Sequence, residues 1–207
     1  MTRWQAALTV LMCGVGVAAL VHGAGPRSYT IDSGQSRATI EVGKSGALSF
    51  VAGHAHEVIA PAIAGTITVD ADDPARSDVH ITIDASALKV TGKGESANDV
   101  PKVQETMAGA QVLDVQRYPA ITFASTHVAV TSHTGMTLEA MLTGQLTLHN
   151  VTRSITVPVT VRMDNNTFTA TGRFAVKQTD HGIKPVSVGG VVSVKDAVNV
   201  TFTIVGR

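Results

Sequence analysis

The side chains best suited to chemistry in this chain are its histidines. His54 and His56 stand two apart in Gly53-His54-Ala55-His56-Glu57. Residues two apart share a face of an extended strand, so both imidazoles would point the same way. Rings so placed could hold a metal ion, with Glu57, His149 or His181 completing the shell. That reading makes the chain a metal-binding protein or a metal-dependent enzyme using His54 and His56. The plainer reading makes them polar, hydrogen-bonded histidines near the mouth of a barrel. Between the two lies a role for His54, His56 or His149 in bonding the polar head of a ligand. The zinc-protease helix motif needs a histidine three residues after the glutamate, and Ala60 stands there.

Other catalytic patterns are missing. There is no Gly-x-Ser-x-Gly elbow, and no glycine-rich phosphate loop follows the first two dozen residues. Asp70, Asp72 and Asp73 lack the central glycine and terminal glutamate of a calcium loop and read as a solvated turn. The expectation is a protein that catalyses no reaction and carries no cofactor.

The elements that must position these residues are strands. Thr137–Val161 organises the chain. Leu138, Ala140, Leu142, Gly144, Leu146 and Leu148 alternate with Glu139, Thr143, Gln145, Thr147 and His149, Met141 being the exception. Ile155, Val157, Val159 and Val161 then alternate with Ser154, Thr156, Pro158 and Thr160. A period of two means strands with one buried face, and the short stretch His149–Arg153 joins them as an antiparallel hairpin. Strands of about 12 residues suit a barrel or a strongly curved sheet.

Upstream, Tyr29–Asp32 and Arg37–Val42 read as a first strand region broken at Ser33-Gly34. Ala47–Val51, Val58–Ala60, Ile63–Val69 and a strand marked by Val79, Ile81 and Ile83 follow as a meander. The period changes after Gly94. Asn98 or Asp99 can cap a helix, Pro101 fits its first turn, and Val103, Met107 and Ala110 recur at helical spacing. The spacing predicts one helix of roughly 10 to 13 residues between Asn98 and Gln111, packed over one end of the barrel. Ile121 and Phe123 with Val128 and Val130, then Phe168–Val176, then Val198–Ile204 complete the strands. The fold expected is all-β, a closed antiparallel barrel of about eight strands with one helix between strands.

A barrel of that size is either filled by side chains or holds one ligand. Small residues at Ala140, Gly144, Ala170 and Gly172 favour a cavity. The inward candidates are Phe50, Ile67, Val69, Ile81, Ile83, Phe123, Leu142, Leu146, Leu148, Phe174 and Phe202. Pattern alone leaves open whether they line a cavity or form an ordinary core.

The first residues belong to a different kind of segment. Arg3, an uncharged apolar run from Ala6 to Val21 and the small residues Gly23 and Ala24 form the pattern of a secretory signal peptide. Residues 1–23 are expected to be cleaved, leaving residues 24–207 as one domain. The run is short for a membrane span of about 20 residues. Cys13, the one cysteine, lies inside it behind Met12, which argues against lipid attachment. A secreted chain without disulfides fits a bacterial periplasm. Lys+Arg and Asp+Glu are 16 each, so no electrostatic footprint for nucleic acid is present.

Tyr29-Thr30-Ile31-Asp32 with Ser36, Gly65–Asp70, Ser77–Asp84, Val112-Leu113-Asp114 with Arg117–Ser125, Leu142–Thr152 and Asp180-His181-Gly182-Ile183 occur in this order. Their order resembles that of the YceI-like polyisoprenoid-binding proteins. The resemblance implies a lipocalin-like extended antiparallel barrel with a long apolar cavity. It implies an isoprenoid lipid or isoprenoid quinone as ligand and a periplasmic location. It further implies that the inward candidates form the ligand wall, and that the chain pairs as a homodimer. An inner-membrane redox partner is a further expectation.

Overall fold

The computed structural model describes residues 25–45, 55–70, 72–164, 166–188 and 192–207. The expected leader, the expected strand at Ala47–Val51, Phe50 and His54 lie outside the described residues.

Among the described residues, twelve strands form one antiparallel sheet. They are β1 (Arg27–Thr30), β2 (Arg37–Ser45), β3 (His56–Ala60), β4 (Ile63–Val69), β5 (Asp78–Asp84) and β6 (Lys89–Val90). After helix α1 (Val100–Ala108) come β7 (Ala120–Thr134), β8 (Thr137–Leu148), β9 (Val151–Asp164), β10 (Thr167–Lys177), β11 (Ser187–Val188) and β12 (Val192–Gly206). The order across the sheet is β1-β4-β5-β7-β8-β9-β10-β12-β2-β3-β6, with β11 added on β12. The count exceeds the expected eight because β1, β6 and β11 are only four, two and two residues long. Segments that short carry too few residues for an alternation to register.

β4, β5, β7, β8, β9, β10 and β12 run as a meander, with β6 set apart to pair with β3, but the opening of the chain does not follow it. β1 pairs with β4, whereas β2 pairs with β12 and β3. The two are nevertheless one run along the edge of β12. Thr30 and Arg207 exchange backbone hydrogen bonds of 2.8 and 3.0 Å, and the Asp32 N–H donates to Val205 O at 2.8 Å. At the break, the Ser36 hydroxyl receives the Val205 N–H at 3.0 Å, replacing a ladder bond with a side-chain one. The sheet therefore curls until the end of its first strand meets the end of its last.

The organising hairpin forms as its alternation requires. Leu148 faces Val151 across a two-residue turn, with His149 at φ 51° and Asn150 at φ 59°. Two central residues at positive φ make a turn whose twist matches the strands. On β9, Val157, Val159 and Val161 are buried while Thr156, Pro158 and Thr160 are exposed.

Helix α1 has 9 residues, shorter than expected, because Gly109 leaves the helical region at ψ 175°. Asp99 occupies the cap position but makes no capping bond to a helix N–H; its carboxylate takes the Ser96 hydroxyl at 2.6 Å. What holds the helix down is Gln104. Its amide donates to Leu88 O and accepts from the Val90 N–H, both at 2.9 Å, which joins α1 to β6.

The small residues on the concave face divide into two kinds. Ala140 and Ala170 border open space. Gly144 and Gly172 are small because aromatic rings lie on them. A Cβ on Gly144 would collide with the Phe123 ring and Ala124 O; one on Gly172 would sit 2.6 Å from Phe202 Cζ and 2.8 Å from Pro158 O. Backbone carbonyls cannot step aside, so Gly172→Ala should destabilise the domain by about 1–3 kcal/mol. Denaturant unfolding measures this. Phe202→Leu in the same chain should recover part of the loss, and an unchanged midpoint for Gly172→Ala would contradict the close approach.

Candidate functional site

Curling the sheet turns one face of every long strand inward, and these faces enclose a cavity of about 270 Å³. Ile67 and Val69 of β4 and Ile81 and Ile83 of β5 form one wall. Phe123 of β7 with Leu142 and Leu146 of β8 continue it, and Phe174 of β10 and Phe202 of β12 complete the circuit. The last two rings meet edge to face, with centroids 6.2 Å apart. Leu148 does not line the cavity; it is half-buried one pleat beyond Leu146, at the turn. Phe50 lies outside the described residues.

The wall also contains residues not singled out from sequence. Val157, Val159 and Val161 of β9 face in, and their alternation was visible. Met163, Phe168 and Ile204 extend the same faces.

Few polar groups border this space, and those with charge are engaged by their own loops. Asp70 is buried and accepts the N–H groups of Asp72 and Asp73 at 3.1 and 2.9 Å, with Arg76 at 3.5 Å. Of the expected solvated turn, Asp72 and Asp73 are exposed, whereas Asp70 is buried and locally satisfied. His133 Nε2–H donates to Gly135 O at 3.0 Å. A guest here meets hydrocarbon and no free charged clamp.

The histidines do not converge. His56 Nδ1–H donates to Glu95 Oε1 at 2.9 Å. Glu57 points to the other face of β3, as adjacent strand residues must. It receives Lys93 Nζ at 2.7 Å and the Thr91 hydroxyl at 3.1 Å. The Lys93 hydrogen bond holds the Glu57 carboxyl below the usual carboxylate range and raises the lysine in return. His149 packs its ring edge to face on Tyr118, 4.6 Å between centroids. His181 is buried and its Nδ1–H donates to Val151 O at 2.8 Å, pinning the turn Thr179–His181 to β9. Among the described residues no three His, Cys, Asp or Glu side chains gather as a metal shell. The shell drawn from Glu57, His149 and His181 is therefore not assembled around His56.

A family model for the YceI-like domain matches residues 29–206. The protein belongs to the YceI-like family. Solved structures of similar fold include BcnA of Burkholderia cenocepacia, with a TM-score of 0.65 at 21% identity, covering 86% of this chain and 99% of that one. A polyisoprenoid binding domain from Saccharophagus degradans has a TM-score of 0.63 at 13% identity, covering 86% and 97%. The YCEI protein of Campylobacter jejuni has a TM-score of 0.53 at 13% identity, covering 70% and 81%. No curated protein matches significantly.

In this YceI-like domain the turn Thr179–His181 beside the hairpin is held by one carboxylate with a pH signature. Asp196 accepts the Thr179 N–H at 2.9 Å and its hydroxyl at 2.7 Å. The N–H bond, then the hydroxyl bond, hold its carboxyl below the usual range. A lowered folded value means the bond's support is complete above the unfolded-state value and fades as pH falls through the folded one. The Thr179 amide proton should therefore titrate with a midpoint below that of exposed aspartates. A two-dimensional NMR titration checks this, and Asp196→Asn should abolish the transition.

Proposed function

We propose that this protein is a binding module that holds an isoprenoid lipid or isoprenoid quinone in the cavity of its concave face and catalyses no reaction. The observation that carries this reading is the continuous hydrocarbon wall contributed by β4, β5, β7, β8, β9, β10 and β12, whose bordering charged group, Asp70, is already satisfied. Burial of apolar chain is worth about 0.8 kcal/mol per CH₂, or about 4 kcal/mol for each five-carbon unit. Such a guest needs no charged clamp. The cavity, about 270 Å³, lies just below the range usual for ligand pockets, roughly 300–1,000 Å³, and suits a section of a chain. The similar domain from Saccharophagus degradans is described as polyisoprenoid binding, which supports the same class of guest. Residues 1–23 serve as a cleaved leader, and residues 24–207 work in the periplasm.

Native mass spectrometry of the protein taken from periplasm, followed by organic extraction, tests this. A non-covalent adduct that extracts as a prenyl chain or quinone is the expected result, and a bare polypeptide that also refuses added prenyl ligands would sink the reading. Ala140 borders the cavity and is 3% exposed. Ala140→Phe should fill the space and weaken prenyl binding by about tenfold or more, equal to about 1.4 kcal/mol. Undiminished binding by a folded Ala140→Phe variant would place the guest elsewhere.

A further inference from the structure

A second cavity, about 410 Å³, lies under α1. It opens on the same sheet face as the first: Ala38 borders the first and Val42, four residues along β2, borders the second. Its apolar lining comes from Val58 and Val90 on β3 and β6, Val103 and Met107 on α1, and Val194 on β12.

Set into this lining is the carboxylate of Glu95, whose side chain is 0% exposed. Oε1 receives the His56 Nδ1–H. Oε2 is buried without a hydrogen-bond partner, and among the described residues it is the one buried side-chain polar atom in that position. A buried acceptor left unpaired is costly, more so on a group that can carry charge. Three lysines lie nearby, Lys44 among the lining residues, and Oε2 has a hydrogen bond to none of them. Lys102 bonds Asp99 at 3.3 Å, and Lys93 bonds Glu57 on the outer face.

Nor is Glu95 on a loose loop. The Thr91 N–H donates to Glu57 O at 2.9 Å, Lys93 and Thr91 hold the Glu57 carboxylate, and the Glu95 N–H closes a turn onto Gly92 O at 3.0 Å. Two adjacent residues of β3 thus grip one loop from opposite faces, Glu57 outside and His56 inside. The carboxylate is held in place in advance, as a binding group must be.

We propose that this cavity binds an apolar molecule bearing an O–H or N–H donor, and that Glu95 Oε2 accepts that donor. The donor belongs either to a free small molecule (an alcohol, phenol or amine) or to the polar head of a long-chain guest. The chemistry at Oε2 is the same. A molecule offering only acceptors there, such as an ether, leaves the carboxylate unpaired and binds more weakly, so a quinone held in the first cavity would keep its carbonyls away from Oε2.

The test uses lipid-stripped protein with methyl-labelled Met, Val and Ile. The Met107 methyl reports the second cavity, and Ile67 and Ile81 report the first. The probes are 4-propylphenol and 4-propylanisole, equal in shape except for the blocked donor, with 2-phenylethylamine as the cationic donor. Expected is a saturable Met107 shift with the phenol or the amine, at about tenfold or more higher affinity than the anisole. Glu95→Gln keeps an acceptor for His56 but places an amide N–H₂ where Oε2 was, so the preference should vanish or reverse. Geranylgeraniol assigns the source. Concerted shifts at Met107 and at Ile67 and Ile81 identify the head of a long guest, whereas shifts at Met107 with the phenol alone identify a free small molecule.

Equal affinity of the wild-type protein for phenol and anisole would overturn the proposal. So would a Met107 methyl that no probe moves. Either result leaves the first cavity untouched, because its guest is read independently by extraction.

Discussion

Four backbone hydrogen bonds tie the ends of the sheet together around the first cavity. Thr30 and Arg207 bond each other twice, Ile31 N–H reaches Gly65 O at 3.0 Å, and Asp32 N–H reaches Val205 O. The segment Thr30–Asp32 therefore lies between β4 and the end of β12 and draws them together. The last residues of β12, which run past β2, and the outer edge of β4 would otherwise be left unpaired. Once the ends meet, every long strand has a concave face, and the period of two dictates that this face be apolar. Ser36 makes the junction tolerable. Its hydroxyl serves Val205 at the point where the chain turns from β1 into β2, so no buried ladder group is orphaned.

A curled sheet need not enclose space, and here it does so unevenly. The far end of the Phe123 ring lies on Gly144 and that of Phe202 on Gly172, where any side chain larger than hydrogen would collide with them. The remaining inward residues are mostly Val, Ile and Leu, whose side chains are too short to meet across the ring. Aromatics supply only 4% of the chain, which limits how much of the interior can be plugged. The glycines thus contribute to the cavity by letting rings lie close to the strands.

Much of this was legible from residue order. The alternation in Thr137–Val161 specified the hairpin, and the inward faces of β4, β5, β7, β8, β10 and β12 emerged with the residues expected there. Alternation reports which side a residue faces but not how far along the barrel it sits. That is why Leu148, on the same face as Leu146, falls beyond the cavity. Nor does it identify neighbours, so the separation of β1 from β2 went unforeseen. Glycine at 144 and 172 read as space where rings now lie, since small size is compatible with a void or with close approach. The partner of His56 was out of reach altogether. Glu95 is 39 residues away, in a loop that obeys no period, and only the folded pairing of β2, β3 and β6 brings it under the helix.

That pairing gives the short strands a purpose that length alone would hide. β3 and β6 lie past β2, beyond the ring needed to close the sheet, and β6 is held by Gln104 of α1. Without this extension α1 would have nothing to rest on, and the loop carrying Glu95 would have no strand to grip it. The His56-Glu57 step supplies the two opposite faces that the grip needs, one side chain bonding within and its neighbour bonding without. The histidine that looked like a metal ligand from its spacing is therefore better understood as the residue that fixes the buried carboxylate, leaving one of its oxygens without a partner beside a cavity. A largely apolar pocket with a buried acceptor held in place distinguishes guests by whether they carry a donor, while the nearly all-hydrocarbon wall along the rest of the sheet distinguishes them by length and shape.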